Sequence, residues 1–262
     1  LGVPISPVHA FTVFMSFLDN NSLQALTPAD FNAARPFPWA NPHAVIDDAA
    51  FDRLRNHLPG VEQFARRYNI RRRYGQQPHD RYTLEYHAKC RVHPCWHEFI
   101  AELRSPVYSE WIAALFNTRR FFLTFHWHYA TRGCQVSPHC DNPRKLGSHI
   151  FYFNTAEDWR EDWGGQTLIL DDAGRFERQS APDFEDFAGE TSSRTLGNYS
   201  LLFGRRGNSW HGVRPLKCPE GEMRKVFIVV INRPTLKAHA KHWLARWKMG
   251  GNKIPENAAG RS

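Results

Sequence analysis

The sequence predicts a mainly β protein with flanking helices, and three observations lead to this fold class. From residue 121 onward, short runs of β-branched and aromatic residues alternate with glycine-containing turns. Before residue 121, apolar residues recur at helical spacing. Aromatic residues make up 14% of the 262 positions, which suits a β-rich core or a cavity lined by rings. Few helices separate the strand candidates, so the pattern favours an antiparallel sandwich or barrel over a Rossmann sheet.

The first third of the chain is expected to contain short helices with recognisable starts. Thr27 precedes Pro28, as at a helix cap followed by proline in the first turn. Apolar residues at spacings of three and four predict an amphipathic helix over 47–58. Two more helices are predicted at 95–104 and at 106–116, separated by a Ser-Pro pair.

The strand-rich part follows, with Gly-Asn and Gly-Gly turns between its runs. Its strand candidates are 121–129, 148–154, 166–170, 199–203, 209–213 and 225–232. Residues 172–197 form a polar connector without a strand pattern, and connectors of this length are often lids or binding loops.

Three regions are predicted from these patterns. An N-terminal extension, 1–34, packs on the core, the main domain covers 35–235, and a basic helix and tail follow at 236–262. Within the main domain, 35–120 is the helical part and 121–235 the strand-rich core. In the tail, Trp243 and Trp247 lie four residues apart and are expected to dock on the domain surface.

Charge and cysteine content indicate which binding partners and which cellular compartment to expect. The net charge is +8, but lysine and arginine are scattered, so most of them are expected to solvate the surface and nucleic acid is not expected as a partner. Five cysteines are too few and too irregular for a disulfide framework, which predicts a cytoplasmic protein. The apolar stretch 8–18 is too short to span a bilayer, so no membrane partner is expected.

Three side chains predict a metal site. Residues i and i+2 of a strand point to the same side, so His139 and Asp141 can converge on one ion. His211 lies in another strand candidate and would join them if the sheet closes. Two imidazoles and one carboxylate are the facial triad of non-haem Fe(II) oxygenases. Taken alone the pair is a weak signal, because the chain has 14 histidines.

Arg224 opens the most hydrophobic strand candidate. A guanidinium buried there needs an anionic partner, and a dicarboxylic acid would supply one. The alternative is that Arg224 and Lys225 cap the strand at the surface. Both faces of 225–231 are apolar, so the sequence leaves the two interpretations open.

A set of motifs follows in fixed order along the chain. They are Tyr129, His139-Cys140-Asp141-Asn142-Pro143, Ile150-Phe151-Tyr152-Phe153-Asn154, Gly164-Gly165-Gln166-Thr167-Leu168, Ser200-Leu201-Leu202-Phe203, His211-Gly212-Val213 and Arg224. In this order they resemble the prolyl-4-hydroxylase-like Fe(II)/2-oxoglutarate dioxygenases. The resemblance covers 121–234 most closely, and a weaker similarity at 42–48 suggests that the domain begins near residue 35.

The resemblance implies a double-stranded β-helix, or jelly-roll, core with helices packed against it. It also implies that His139, Asp141 and His211 bind Fe(II) and are the catalytic centre. Arg224 would anchor the distal carboxylate of 2-oxoglutarate.

Two tyrosines match positions where family members place aromatic residues that contact the cosubstrate, Tyr129 and Tyr152. The alternative for each is ordinary barrel filling with a hydrogen-bonded hydroxyl. Strand alternation puts Trp127 and Tyr129 on one face, and His126 and His128 on the other.

The implied reaction is hydroxylation of an unactivated C–H bond, with Fe(II) as cofactor and 2-oxoglutarate and O2 as cosubstrates. We expect a small-molecule or amino-acid-like substrate, because no separate peptide-binding module is visible. The alternatives are a hydroxylase of a protein or peptide residue, a catalytically silent jelly-roll binding or sensing module, and a zinc hydrolase with the same three ligands.

The expected cavity mouth is rich in arginine and tryptophan, which suits an acidic or amino-acid-like metabolite, a peptide side chain or a modified nucleotide. The candidate substrate residues are Trp127, Arg132, Trp163 and Arg205.

Other cysteines and histidines are weaker candidates for metal ligands. Cys90, His93, Cys95 and His97 lie close together, but a second pair with zinc-site spacing is missing. His126 and His128 have no third ligand nearby and are expected to be packed or solvent-facing.

Overall fold

A computed structural model describes residues 16–234. Its helices are α1 (Asn20–Ala25), α2 (Pro28–Ala33), α3 (Asp48–Asn56), α4 (Pro94–Leu103) and α5 (Pro106–Phe116). Its strands are β1 (Trp39–Ala40), β2 (Ala65–Arg67), β3 (Arg81–Glu85), β4 (Phe122–Ala130), β5 (Val136–His139), β6 (Lys145–Tyr152), β7 (Leu168–Asp171), β8 (Gly189–Ser192), β9 (Ser200–Gly204), β10 (His211–Val213) and β11 (Arg224–Asn232). The predicted helix with Trp243 and Trp247 and most of the apolar stretch 8–18 lie outside the described residues, and the domain boundaries stay predictions.

The strands form two antiparallel sheets. The larger sheet has the order β1-β9-β6-β11-β4-β3-β2, and the smaller has the order β5-β10-β7-β8. Each of the six predicted strands is present, with ends shifted by up to three residues. The longest pairing joins β11 to β4 and β6, where Val226 lies opposite His128 on one side and Tyr152 on the other.

Capping side chains and prolines mark the N-termini of the predicted helices. The Thr27 hydroxyl accepts from the Asp30 amide at the start of α2, and the Asp47 carboxylate accepts from the amides of Ala49 and Ala50 at the start of α3. Proline occupies the first turn of α4 and of α5. Within residues 16–234, no helix has the length and apolar character that crossing a bilayer requires.

Helices cover one side of the larger sheet, which we call the helix face. There the ring of Trp96 on α4 lies 5.1 Å from the rings of both Trp127 and Phe227. Residues that alternate with these on the same strands point to the other side, the cavity face, toward the smaller sheet. The cavity-face residues of β11, β4 and β6 that line the cavity are Val226, Ile228, Val230, His126, His128, Ser148 and Ile150.

Two predictions about organisation are corrected. The first third is not purely helical, because β2 and β3 extend the larger sheet beyond β4. The connector 172–197 contains β8, which pairs with β7, and its Phe176 and Phe187 rings pack 6.2 and 5.7 Å from Trp210. The connector is therefore anchored on the smaller sheet. All residues of β2 and β8 are exposed, so these edge strands carry no apolar alternation for the sequence to show.

Candidate metal centre

The predicted metal ligands meet in a cavity between the two sheets. Strands β5 and β10 are neighbours, and His211 lies directly opposite His139 in their register. One ligand atom from each of His139, Asp141 and His211 lies within 4.8 Å of the other two, and all three residues are buried. The pairing of two strands distant in sequence therefore brings the three side chains together.

Backbone carbonyls orient both imidazoles. His139 Nδ1 lies 3.0 Å from the Ser137 carbonyl, and His211 Nδ1 lies 2.9 Å from the Ser209 carbonyl. A carbonyl oxygen only accepts, so each Nδ1 carries the proton and each Nε2 keeps its lone pair. The imidazole centroids are 4.3 Å apart, which leaves both Nε2 atoms available to one ion.

The charges of the cluster suit a cation. The Asp141 carboxylate accepts from Lys145 Nζ at 2.7 Å and from the Ser148 hydroxyl at 3.4 Å. Burial acts to raise the pKa of Asp141, but the ammonium group of Lys145 outweighs it and holds that pKa below its usual value. Burial lowers the pKa of His139 and of His211, so both are neutral, as metal ligands must be.

The donor set fits a divalent transition metal. Two neutral imidazoles and one carboxylate could together hold one such ion at the cavity wall, and this is the donor set of Fe(II) oxygenase sites. Imidazole and carboxylate ligands also bind zinc, so the ligands alone do not select between the two metals.

Arg224 lines the same cavity. Its Nε donates to the Gly165 carbonyl at 2.6 Å, and one terminal nitrogen donates to the Thr167 hydroxyl at 3.3 Å. In residues 16–234, no carboxylate lies within 4.0 Å of its guanidinium nitrogens. Lys225 points to the other side, where its Nζ lies 3.0 Å from Asp158. The Arg224 guanidinium can therefore bind an anion in the cavity, whereas Lys225 is already paired with Asp158.

A chain of hydroxyls sits beside Arg224. Tyr152 donates to the Thr167 hydroxyl at 2.9 Å, and the Ser193 hydroxyl lies 3.0 Å from the Tyr152 hydroxyl. The proton of Tyr152 is given to Thr167, so Ser193 is the donor to Tyr152. Thr167 accepts from Tyr152 and Arg224, which leaves its own proton available to the cavity that it lines. Sequence reasoning did not single out Thr167, although it lies in the quoted Gly-Gly-Gln-Thr-Leu motif.

The structure does not place Trp127 and Tyr129 in the cavity, contrary to the sequence-based expectation. Trp127 is fully buried on the helix face, and the Tyr129 hydroxyl donates to the Pro59 carbonyl at 3.0 Å. Their neighbours His126 and His128 line the cavity instead. The two faces of β4 were separated correctly, but the face that the helices cover was not identified. Larger rings fill the helix face because it forms the main core.

The other candidate substrate residues lie off the cavity wall. Arg132 is exposed, and Trp163 packs edge-on against Trp159 with ring centroids 5.4 Å apart. Arg205 donates from Nε to the Asp141 carbonyl at 3.2 Å, so it supports the backbone behind a candidate ligand.

Cys90, His93, Cys95 and His97, which their spacing disfavours as zinc ligands, do not all converge. His97 is hydrogen-bonded to the Tyr86 hydroxyl at 2.8 Å, and Cys90 bonds to its own loop. His57 takes their place, with ligand atoms of His57, His93 and Cys95 within 4.8 Å of one another. His93 Nδ1 accepts from the Cys95 amide as the cap of α4, a structural role that explains its position.

Comparisons with known proteins identify the fold. No family model matches the chain, and no curated protein matches it in sequence. A prolyl hydroxylase from Trichoplax adhaerens, solved with a hypoxia-inducible-factor peptide fragment, is similar with a TM-score of 0.58 and 15% identity, over 85% of this chain and 93% of that chain. A Pseudomonas putida prolyl-4-hydroxylase has a TM-score of 0.54 and 12% identity, over 79% and 98%.

A third similar structure is the non-heme alpha-ketoglutarate-dependent carbocyclase SnoK from nogalamycin biosynthesis, with a TM-score of 0.55 and 11% identity, over 84% of this chain and 92% of that chain. At these identities the similarity establishes the fold. The predicted mainly β architecture with a jelly-roll core and flanking helices is therefore confirmed.

Proposed function

We propose that this chain is an Fe(II)/2-oxoglutarate-dependent oxygenase that hydroxylates an unactivated C–H bond of a small molecule or amino-acid derivative. The observation that carries the proposal is that one cavity holds both the His139, Asp141 and His211 cluster and the carboxylate-free guanidinium of Arg224. A cytoplasmic setting agrees with five cysteines that are all unpaired.

Each residue has a defined task in this proposal. His139, Asp141 and His211 hold Fe(II), while Arg224 and the free proton of Thr167 bind the distal carboxylate of 2-oxoglutarate. Bound there, Fe(II) and 2-oxoglutarate supply the oxidising chemistry, in which O2 is consumed, succinate and CO2 are released and one oxygen atom enters a C–H bond. The apolar wall formed by residues such as Ile150 and Val226 keeps bulk water from the reacting atoms.

The size of the cavity supports a small substrate. Its volume is about 330 Å³, near the lower end of the roughly 300–1,000 Å³ that small-molecule sites occupy. The cosubstrate uses part of that volume. Among the similar proteins, one was solved with a peptide fragment and another is a carbocyclase from nogalamycin biosynthesis, so the fold alone does not select the substrate class.

An anaerobic titration tests the proposal. Fe(II) and 2-oxoglutarate added together are expected to give a visible charge-transfer band, which Asp141→Ala abolishes because it removes a ligand. Arg224→Met is expected to weaken 2-oxoglutarate binding about ten- to hundredfold while Fe(II) affinity is retained, because charged hydrogen bonds of about 1.5–3 kcal/mol are lost. Asp162→Ala, on the exposed Arg160 pair, is the matched control and keeps the wild-type band.

Defined outcomes contradict the proposal. A folded wild-type chain without the band contradicts it, and preferential Zn(II) binding without any 2-oxoglutarate requirement favours the hydrolase. A band without succinate release under O2, across metabolite and peptide pools, indicates the silent module. Succinate release with peptides alone replaces the small-molecule substrate by a protein residue.

A further inference from the structure

Two further arginines face the cavity, Arg72 and Arg81. Arg81 begins β3, next to β4 in the larger sheet, and one terminal nitrogen donates to the His79 carbonyl at 2.7 Å. Its Nε is buried and has no hydrogen-bond partner. A buried guanidinium N–H without a partner is costly, so the protein itself does not fully satisfy the Arg81 guanidinium, and an anionic oxygen at its cavity side would be favourable.

Neutral groups hold Arg72 in place. It donates to His79 Nδ1 at 2.9 Å and to the Gln76 side-chain oxygen at 3.2 and 3.4 Å. His79 Nδ1 accepts here, so its Nε2 carries the proton and donates to the Ser137 hydroxyl at 3.1 Å. Ser137 in turn donates to the Gln77 carbonyl at 3.2 Å. The guanidinium is therefore oriented without its charge being neutralised.

The cavity has an excess of positive charge. The cationic residues that line it are Arg72, Arg81, Lys145 and Arg224, and the acidic ones are Asp80 and Asp141. Asp141 is engaged by Lys145, and Asp80 accepts from the Asn69 amide at 2.8 Å. In the described part of the chain, neither Arg72 nor Arg81 has a carboxylate within 4.0 Å. Fe(II) and doubly charged 2-oxoglutarate would cancel each other, so the excess would remain for the substrate.

We infer that Arg72 and Arg81 form a subsite for an anionic group, a carboxylate or a phosphate, on the small-molecule substrate. The inference rests on the proposed function and adds the substrate class to it. Guanidinium groups suit both anions because their N–H donors match paired oxygen atoms. His79, which Arg72 contacts, lies edge-on to His139 with ring centroids 4.5 Å apart. The oxidised carbon is therefore expected within a few bonds of the anionic group.

The test separates this subsite from the cosubstrate anchor. Metal-free Arg224→Met protein, in which the anchor is absent, is titrated with inorganic phosphate and, separately, with benzoate. One of the two probes is expected to bind, and adding Arg81→Met or Arg72→Met is expected to weaken it at least about tenfold, as the loss of a charged hydrogen bond implies. The probe that binds distinguishes a phosphate from a carboxylate. Exposed Arg132→Met is the control and leaves the affinity unchanged.

A conservative variant controls for folding. Arg81→Lys keeps the charge and is expected to retain part of the affinity at the same melting temperature as Arg81→Met. Absence of binding of both probes to the Arg224→Met protein, or equal binding with and without Arg81→Met, overturns the subsite.

The Fe(II) and 2-oxoglutarate titration gives the independent readout. Arg81→Met in the otherwise wild-type chain is expected to keep the charge-transfer band. A missing band with intact, Arg81-dependent anion binding contradicts only the proposed function, whereas an intact band without anion binding contradicts only the subsite.

Discussion

The two faces of the larger sheet differ in composition although the same strands build both. On the helix face, Trp127 and Phe227 pack against α4 among other large rings. On the cavity face, the neighbouring positions carry His128 and Val226, with Arg224 at the strand start. A single strand thus contributes alternately to the core and to the candidate site. We expect substitutions on one face to change stability and substitutions on the other to change ligand binding.

The strongest test compares two consecutive residues of β4. Trp127→Ala removes a fully buried indole from the helix-face core and is expected to lower the free energy of unfolding by about 3–5 kcal/mol. His128→Ala removes a cavity side chain and is expected to cost about 1 kcal/mol at most. Denaturant unfolding of both variants measures the difference. Equal losses would show that the two faces share one structural role.

The next test compares two glycines with positive φ. Gly165 has a φ of +98°, and a Cβ there would lie 3.1 Å from Arg224 Cδ, whereas Gly133 has a φ of +78° and open space around it. Alanine at either position is expected to cost about 1–3 kcal/mol from backbone strain. Only Gly165→Ala is expected to weaken 2-oxoglutarate binding, because it displaces the guanidinium. Anaerobic titration checks this, and equal effects of the two variants would contradict it.

The smallest expected effect concerns a histidine on the helix face. His149 is fully buried beside the Tyr108 hydroxyl at 2.9 Å, and burial lowers its pKa to about 3. Below pH 6.5 the unfolded chain takes up a proton at this residue and the folded chain does not. The free energy of unfolding therefore falls as the pH decreases from about 6.5 toward 3.

Replacing His149 by a residue that does not titrate tests whether this helix-face histidine causes the loss of stability at acidic pH. Between pH 7 and pH 5.5, His149→Phe is expected to lose about 1 kcal/mol less stability than the wild-type chain. Denaturant unfolding at the two pH values measures the change. His87→Gln, at an exposed position, serves as the control and is expected to keep the wild-type loss. An unchanged loss in His149→Phe would mean that other groups cause the acid sensitivity.

Local signals explain what the sequence could predict. The caps at Thr27 and Asp47 and the prolines that open α4 and α5 act within one turn, so those helices were predictable. The short β-type runs and the spacing of His139 and Asp141 are local as well. The meeting of His211 with this pair follows from strand pairing, and only the motif order suggested it in advance.

Long-range packing explains the remainder. Both faces of β11 are apolar, so its sequence does not show which face the helices cover. Tyr129 was assigned to the cosubstrate from the family resemblance and Trp127 to the expected cavity mouth, and no local signal on β4 showed that both lie on the helix face. Arg72 lies in the run Arg71-Arg72-Arg73, and Arg81 follows nine residues after Arg72. Such scattered arginines are typical of solvated surface, and only the pairing of β3 with β4 turns Arg81 toward the cavity.

The orientation of the two imidazoles depends on main-chain atoms, the carbonyls of residues 137 and 209. Every amino acid carries that acceptor, so replacing either serine leaves the bonds to Nδ1 in place. A change of side chain at these two positions can therefore alter the polarity around the candidate metal site without removing the atoms that orient its imidazoles.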